Sequence, residues 1–93
     1  MKYMISWKIP PGKYVGAAER FLHSGAPVPE PLTLVGRWHA PGSMYGWALI
    51  EGDDPIAMAQ HSAEWARYLE IQVTPVIDDY EASAGISKVY GSP

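Results

Sequence analysis

Residues 32–55, LTLVGRWHAPGSMYGWALIEGDDP, contain the pattern that decides the fold. Apolar and polar residues alternate over 32–39 and again over 44–51, and the turn formers Pro41 and Gly42 lie between the two stretches. Alternation with a period of two is typical of β-strands, and a short loop built on Pro-Gly joins antiparallel neighbours. The stretch therefore predicts a β-hairpin.

The rest of the chain supplies two more strands and three helices. Asp53-Asp54-Pro55 predicts a helix start, because aspartate caps helices and proline fits their first position. Periodicity predicts strands at 2–9 and 69–77, and helices at 14–23, 55–68 and about 80–90. The order β-α-β-β-α-β plus a C-terminal helix is the ferredoxin-like, split-βαβ pattern of an α+β protein with a four-stranded antiparallel sheet. Strands one and three are expected in its centre, and Pro75 predicts that the fourth strand either lies at an edge or is bulged.

Length and composition limit the classes of protein. The chain of 93 residues is expected to form one domain, 1–93, without cysteine and therefore without disulfides. Ten acidic against seven basic residues give a net charge of −3, which disfavours nucleic-acid binding. No membrane span or signal peptide is predicted, so a cytoplasmic location is expected. The three histidines lack the spacing of metal ligands, and we expect neither a metal nor a cofactor.

The predicted strands present two unequal faces. One face is large and apolar, and we assign it to the helices: Tyr3, Ile5, Trp7, Ile9, Leu32, Leu34, Gly36, Trp38, Tyr45, Trp47, Leu49, Leu69, Ile71, Val73, Pro75 and Ile77. The other face is mixed: Met4, Ser6, Lys8, Val35, Arg37, His39, Gly46, Ala48, Ile50, Glu70, Gln72, Thr74 and Val76. A small domain has a marginal core, and association adds buried apolar area. We therefore expect the mixed face to pack against a second copy and to enclose a lumen; the alternative is a monomer in which this face is solvated.

A cluster of polar side chains is expected at one end of this mixed face. The strand ends that meet there carry Lys8, His39 and Glu70, with Ser6, Arg37 and Gln72 one step inward. Arg37 is suited to hold a carboxylate in a bidentate pair, and His39 is suited to carry a proton near neutral pH. The alternative is structural: Lys8 and Glu70 form a partly solvated ion pair, and Arg37 anchors an interface.

The four tryptophans and the second long helix are interpreted as core elements. Trp7, Trp38 and Trp47 are placed on the apolar strand faces, and Trp65 on the buried side of the helix. The same helical stripe is expected to bury Met58, Ala59, Ser62, Ala66 and Leu69. His61 is expected on the opposite, polar side.

Four segments resemble a small bacterial family of unknown function: residues 2–11, Gly36-Arg37-Trp38-His39-Ala40-Pro41-Gly42-Ser43, residues 51–55 and residues 73–76. That family is similar in layout to the dimeric α+β-barrel proteins, which include small monooxygenases, isomerases and heme-degrading enzymes. The resemblance implies a homodimer with a pocket either between sheet and helices or between the two sheets. Trp47 and His61 are nominal counterparts of the heme-site residues of the heme-degrading members, but no heme site is expected while His61 lies on the polar side.

Two functional hypotheses remain open. The first is a small-molecule-binding protein for a small apolar or carboxylate-bearing ligand, with monooxygenase- or isomerase-like, cofactor-independent chemistry using His39 and Arg37. The second is a non-enzymatic sensor or interaction module whose mixed sheet face is only a dimer interface. A shared fold does not decide between them.

Overall fold

The computed structural model describes residues 1–91 and confirms the predicted order of elements. The strands are β1 (Lys2–Lys8), β2 (Thr33–His39), β3 (Tyr45–Glu51) and β4 (Glu70–Val76). The helices are α1 (Tyr14–Ser24), α2 (Pro55–Trp65) and α3 (Asp79–Tyr90). Helix α2 ends about one turn earlier than periodicity predicts, since a hydrogen-bonded turn at residues 66–68 leads directly into β4.

The strands form one antiparallel sheet in the order β2-β3-β1-β4. The ferredoxin-like α+β arrangement is confirmed, with β1 and β3 in the centre. Strand β4 is an edge strand, as Pro75 predicts, because proline has no N–H to donate to a further neighbour.

The sheet faces are predicted correctly for β1, β4 and Leu34 of β2, and wrongly for β3 and for residues 36–39 of β2. Trp7 of β1 lies opposite Gly46 of β3, so even-numbered β3 residues share a face with odd-numbered β1 residues. Ala48 and Ile50 are consequently buried in the core with Ile5. The indoles of Trp38 and Trp47, paired across the hairpin, lie on the opposite, exposed face.

The cause of this error is the register between strands that no turn connects. The β2–β3 hairpin keeps Trp38 and Trp47 on one face, as the alternation predicts, and the two residues lie directly opposite each other. A β-bulge between Leu34 and Gly36 then returns Leu34 to the core side. The face that the hairpin turns toward the helices is set by its pairing with β1, and the smaller side chains of β3 lie there.

Helix α3 extends away from the rest of the chain. None of its residues is buried, and Ile86, Val89 and Tyr90 are exposed. The radius of gyration is 16.1 Å, against about 12 Å for a compact chain of this length. Within residues 1–91, no helix combines the length and apolar character needed to cross a membrane.

Asp54 caps the start of helix α2, as predicted, and the loss of its carboxylate should measurably lower the stability of the fold. Its carboxylate accepts hydrogen bonds from the N–H groups of Ile56 (3.0 Å) and Ala57 (3.1 Å). Asp54→Ala is expected to lower the free energy of unfolding in urea by about 1 kcal/mol. The control is Asp53→Ala, because the highly exposed Asp53 carboxylate pairs with the N-terminal amine. An equal loss in both variants would contradict the capping role of Asp54.

Candidate functional site

A cavity of about 480 Å³ lies between the sheet and helices α1 and α2. Its floor includes Ile5, Ala48 and Ile71 of the three adjoining strands. Its walls include Phe21 of α1 and Trp65 of α2. The lining is therefore mainly apolar, and the described lining residues include no carboxylate.

Small residues on β3 create the space for this cavity. A Cβ atom placed on Gly46 would fall within the indole ring of Trp7, so Trp7 lies directly against the β3 backbone. Ala48, next along the same face, is 2 % exposed and adds only a methyl group to the floor. A larger residue at position 48 would fill part of the cavity, and any side chain at position 46 would displace Trp7.

Arg37 supplies the positive charge of the cavity. Its Nη2 donates to the carbonyl oxygen of Ala26 at 2.6 Å, and its Nη1 donates to that of Gly25 at 3.4 Å. Gly25 and Ala26 adopt left-handed φ angles of 72° and 47°, which is unusual for alanine. These contacts hold the half-buried guanidinium with its Cζ 5.9 Å from the Phe21 ring centroid, and burial lowers the pKa of Arg37.

His39 lines the same cavity at a more exposed position. Its ring stacks on Phe21, with centroids 5.1 Å apart and planes 14° apart. It also meets Trp7 in an edge arrangement at 5.5 Å. His39 and Arg37 lie two residues apart on β2, so both project from the helix-side face. His39 nevertheless remains exposed to solvent.

His61 is the buried histidine of this cavity, which corrects its predicted place on a polar helix face. It is 7 % exposed, and its Nδ1 is shielded from solvent and has no hydrogen-bond partner within the described part of the chain. Burial lowers the pKa of His61, the charge of Arg37 lowers it further, and Glu64 opposes both effects. His61 is therefore neutral near pH 7.

The other four predicted site residues lie together on the opposite face of the sheet. Lys8 faces Glu70 across the β1–β4 pair, and Ser6 faces Gln72. They line a shallow depression of about 360 Å³ bordered by Tyr45 and Trp47, among other residues. The ion pairs found within residues 1–91 do not include Lys8 with Glu70.

The predicted cluster is therefore divided by the sheet. Its strand ends do meet, because Lys8 pairs with both Tyr45 and Glu70, and His39 pairs with Gly46. Arg37 and His39 nevertheless lie beneath the helices, since β2 and β3 present the face opposite to the predicted one. The same inversion separates Trp47, on the outer face, from His61 in the cavity, so these two residues do not form the heme-site pair.

Sequence reasoning missed His61, although a signal for it exists. The buried residues of α2 are Ala57, Met58, His61 and Trp65, which recur at helical spacing. A stripe through Ala57, His61 and Trp65 fits this spacing as well as the predicted stripe through Met58 and Ser62. The predicted stripe leaves His61 on the solvent-exposed side of α2, whereas in the structure His61 lies on the buried side.

Comparison with known families gives one result that covers nearly the whole chain. Residues 1–90 match the model of the domain of unknown function DUF3303, and the chain belongs to this family. The curated proteins include no match to it.

Proposed function

We propose that this member of the DUF3303 family binds a small, mainly apolar molecule with an acid group in the cavity beneath helices α1 and α2. The observation that supports this function is a half-buried guanidinium in an apolar cavity whose described lining has no carboxylate to neutralise it. A buried charge is costly unless it is paired, and a carboxylate ligand would pair it.

The dimensions of the cavity suit a small molecule. Its volume of about 480 Å³ lies within the range of about 300–1,000 Å³ that is typical of ligand sites. Aromatic and aliphatic side chains surround it, and a few polar groups converge on it from β2 and α2. This combination favours a ligand whose apolar part is buried against these side chains and whose acid group accepts hydrogen bonds from the polar groups.

Arg37 is held in a position to recognise an acid. Its contacts with the carbonyl oxygens of Gly25 and Ala26 use one N–H of each terminal nitrogen. A guanidinium has five N–H donors, so three remain for a ligand. Because the side chain is already fixed by the loop, little rotamer entropy is lost when a carboxylate binds.

Ligand binding can be tested with 1-naphthylacetate and its neutral analogue 1-naphthylacetamide. Wild type is expected to bind the acetate more tightly, and Arg37→Met is expected to weaken acetate binding by about 10- to 100-fold, because a charged hydrogen-bond partner is lost. Isothermal titration calorimetry measures both affinities. Arg20→Met, on the exposed side of α1, is the control and should bind like wild type.

Two outcomes of this titration would contradict the function. One is the absence of binding of either probe to wild type. The other is an unchanged acetate affinity in Arg37→Met with a native circular dichroism spectrum.

Proton transfer on the bound molecule is the second candidate function. His39 lies two residues from Arg37 on the same strand and lines the same cavity. An imidazole at the mouth of an apolar cavity is suited to move a proton to or from a ligand that Arg37 holds. Monooxygenase- or isomerase-like chemistry without a cofactor would require this step.

The proposal also includes a homodimer formed through the outer sheet face. Trp38 and Trp47 are 55 % and 42 % exposed and are paired across β2 and β3. Tyr45 adds a third exposed aromatic ring. Contiguous exposed apolar surface of this kind marks interaction sites, and a second copy offers a matching surface by two-fold symmetry. Ser6, Lys8, Glu70 and Gln72 would then lie within or beside the interface.

A further inference from the structure

We propose that His61 is the second recognition group of the cavity, and that its Nε2–H donates a hydrogen bond to the acid group that Arg37 holds. This inference rests on the proposed function and names a specificity-determining residue for the same site. It starts from a buried polar atom without a partner, Nδ1 of His61, in the wall of an apolar cavity.

The burial of Nδ1 favours one position for the ring proton. A proton on Nδ1 would place an N–H donor where the described structure offers no acceptor, whereas an unprotonated Nδ1 leaves only a lone pair there. We therefore assign the Nε2–H tautomer to the neutral ring. Nε2 is also the nitrogen left to meet a ligand, since Nδ1 is shielded from the cavity.

The charges around His61 favour an anionic partner. Arg37 of β2 acts on it across the cavity, and His39 of β2 and Tyr14 of α1 line the same space. Glu64 lies on its own helix and is exposed. Arg37 and the Nε2–H of His61 are both donors, so the group that satisfies both is an acceptor such as a carboxylate.

The test measures binding of 1-naphthylacetate and 1-naphthylacetamide to two variants of His61. His61→Phe removes the donor but keeps a planar ring, and is expected to weaken acetate binding about 10-fold while changing amide binding by less than about 3-fold. His61→Gln supplies a side-chain N–H donor and is expected to recover most of the acetate affinity. His23→Phe, on the exposed end of α1, is the matched control and should have no effect.

Nitrogen-15 NMR spectra of the wild-type protein give a second measurement, which does not depend on whether the variants fold. The His61 ring is expected as the Nε2–H tautomer near pH 7, and its Nε2–H proton should shift downfield when 1-naphthylacetate binds. A proton on Nδ1, a charged ring at that pH or full acetate affinity in a folded His61→Phe variant would overturn the role of His61. If wild type prefers the acetate through Arg37 in these cases, the proposed function stands and only this inference fails. If wild type binds neither probe, the proposed function itself fails.

Discussion

Gly46→Ala is expected to lower the free energy of unfolding by about 3 kcal/mol, because the core at this position is already full. The added Cβ would overlap the indole of Trp7, which lies against the β3 backbone. Both residues are in the two central strands and face each other in the register, so neither can withdraw without disturbing the sheet. The expected fall in melting temperature exceeds about 10 °C for a domain of this size.

A matched glycine separates this steric effect from the general effect of replacing glycine. Gly85 lies within α3, and a Cβ added there meets no atom within 4 Å. Gly85→Ala is expected to stabilise the chain by up to about 1 kcal/mol, because alanine favours the helix. Urea denaturation of both variants measures the difference in sign.

The Trp7 side chain itself can be tested as the cause. In a Trp7→Leu background, the cost of Gly46→Ala is expected to fall below about 1 kcal/mol, which a double-mutant cycle would report as coupling between the two positions. Additive losses in the cycle would show that the indole is not what requires glycine at position 46.

Gly46 also explains why the sequence predicts the order of the elements but not the faces of the hairpin. Alternation, the Pro-Gly turn and the Asp54 cap are local signals, and each predicts its element correctly. The β1–β3 register is not local, because helix α1 and strand β2 separate the two strands. The hypothesis that the bulkiest side chains face the core fails at Gly46 and Ala48, where small residues leave room for Trp7 and the cavity.

The candidate site depends on that same register. The sequence predicts that Arg37 and His39 share a face, and this is confirmed by their common cavity. It does not predict their separation from Lys8 and Glu70, because that follows from the pairing of β3 with β1. The sequence leaves the place of His61 open, because one of the two helical stripes that fit α2 includes His61 and the other does not.

Trp47→Glu is expected to convert a dimer into a monomer if the outer sheet face joins two copies. Trp47 lies on the central strand β3, opposite both Trp38 and Ser6 in the register. A glutamate there would place an unpaired charge in the interface, at a cost of several kcal/mol. A two-fold axis repeats the substitution on the second copy, so the dissociation constant should rise by at least about 10³-fold.

Light scattering after size exclusion, at about micromolar concentration, measures this change directly. Val15→Glu is the control, because Val15 is also an exposed apolar residue (66 %) but lies on α1, away from the outer sheet face. Trp38→Lys tests the same face from the edge strand β2 if Trp47→Glu does not fold. A monomeric wild type would contradict the homodimer. If the dimer persists in both tryptophan variants but dissociates in Ile86→Glu, the interface lies on α3 instead. Because the cavity lies on the other side of the sheet, either result leaves the proposed ligand site to be judged by its own titrations.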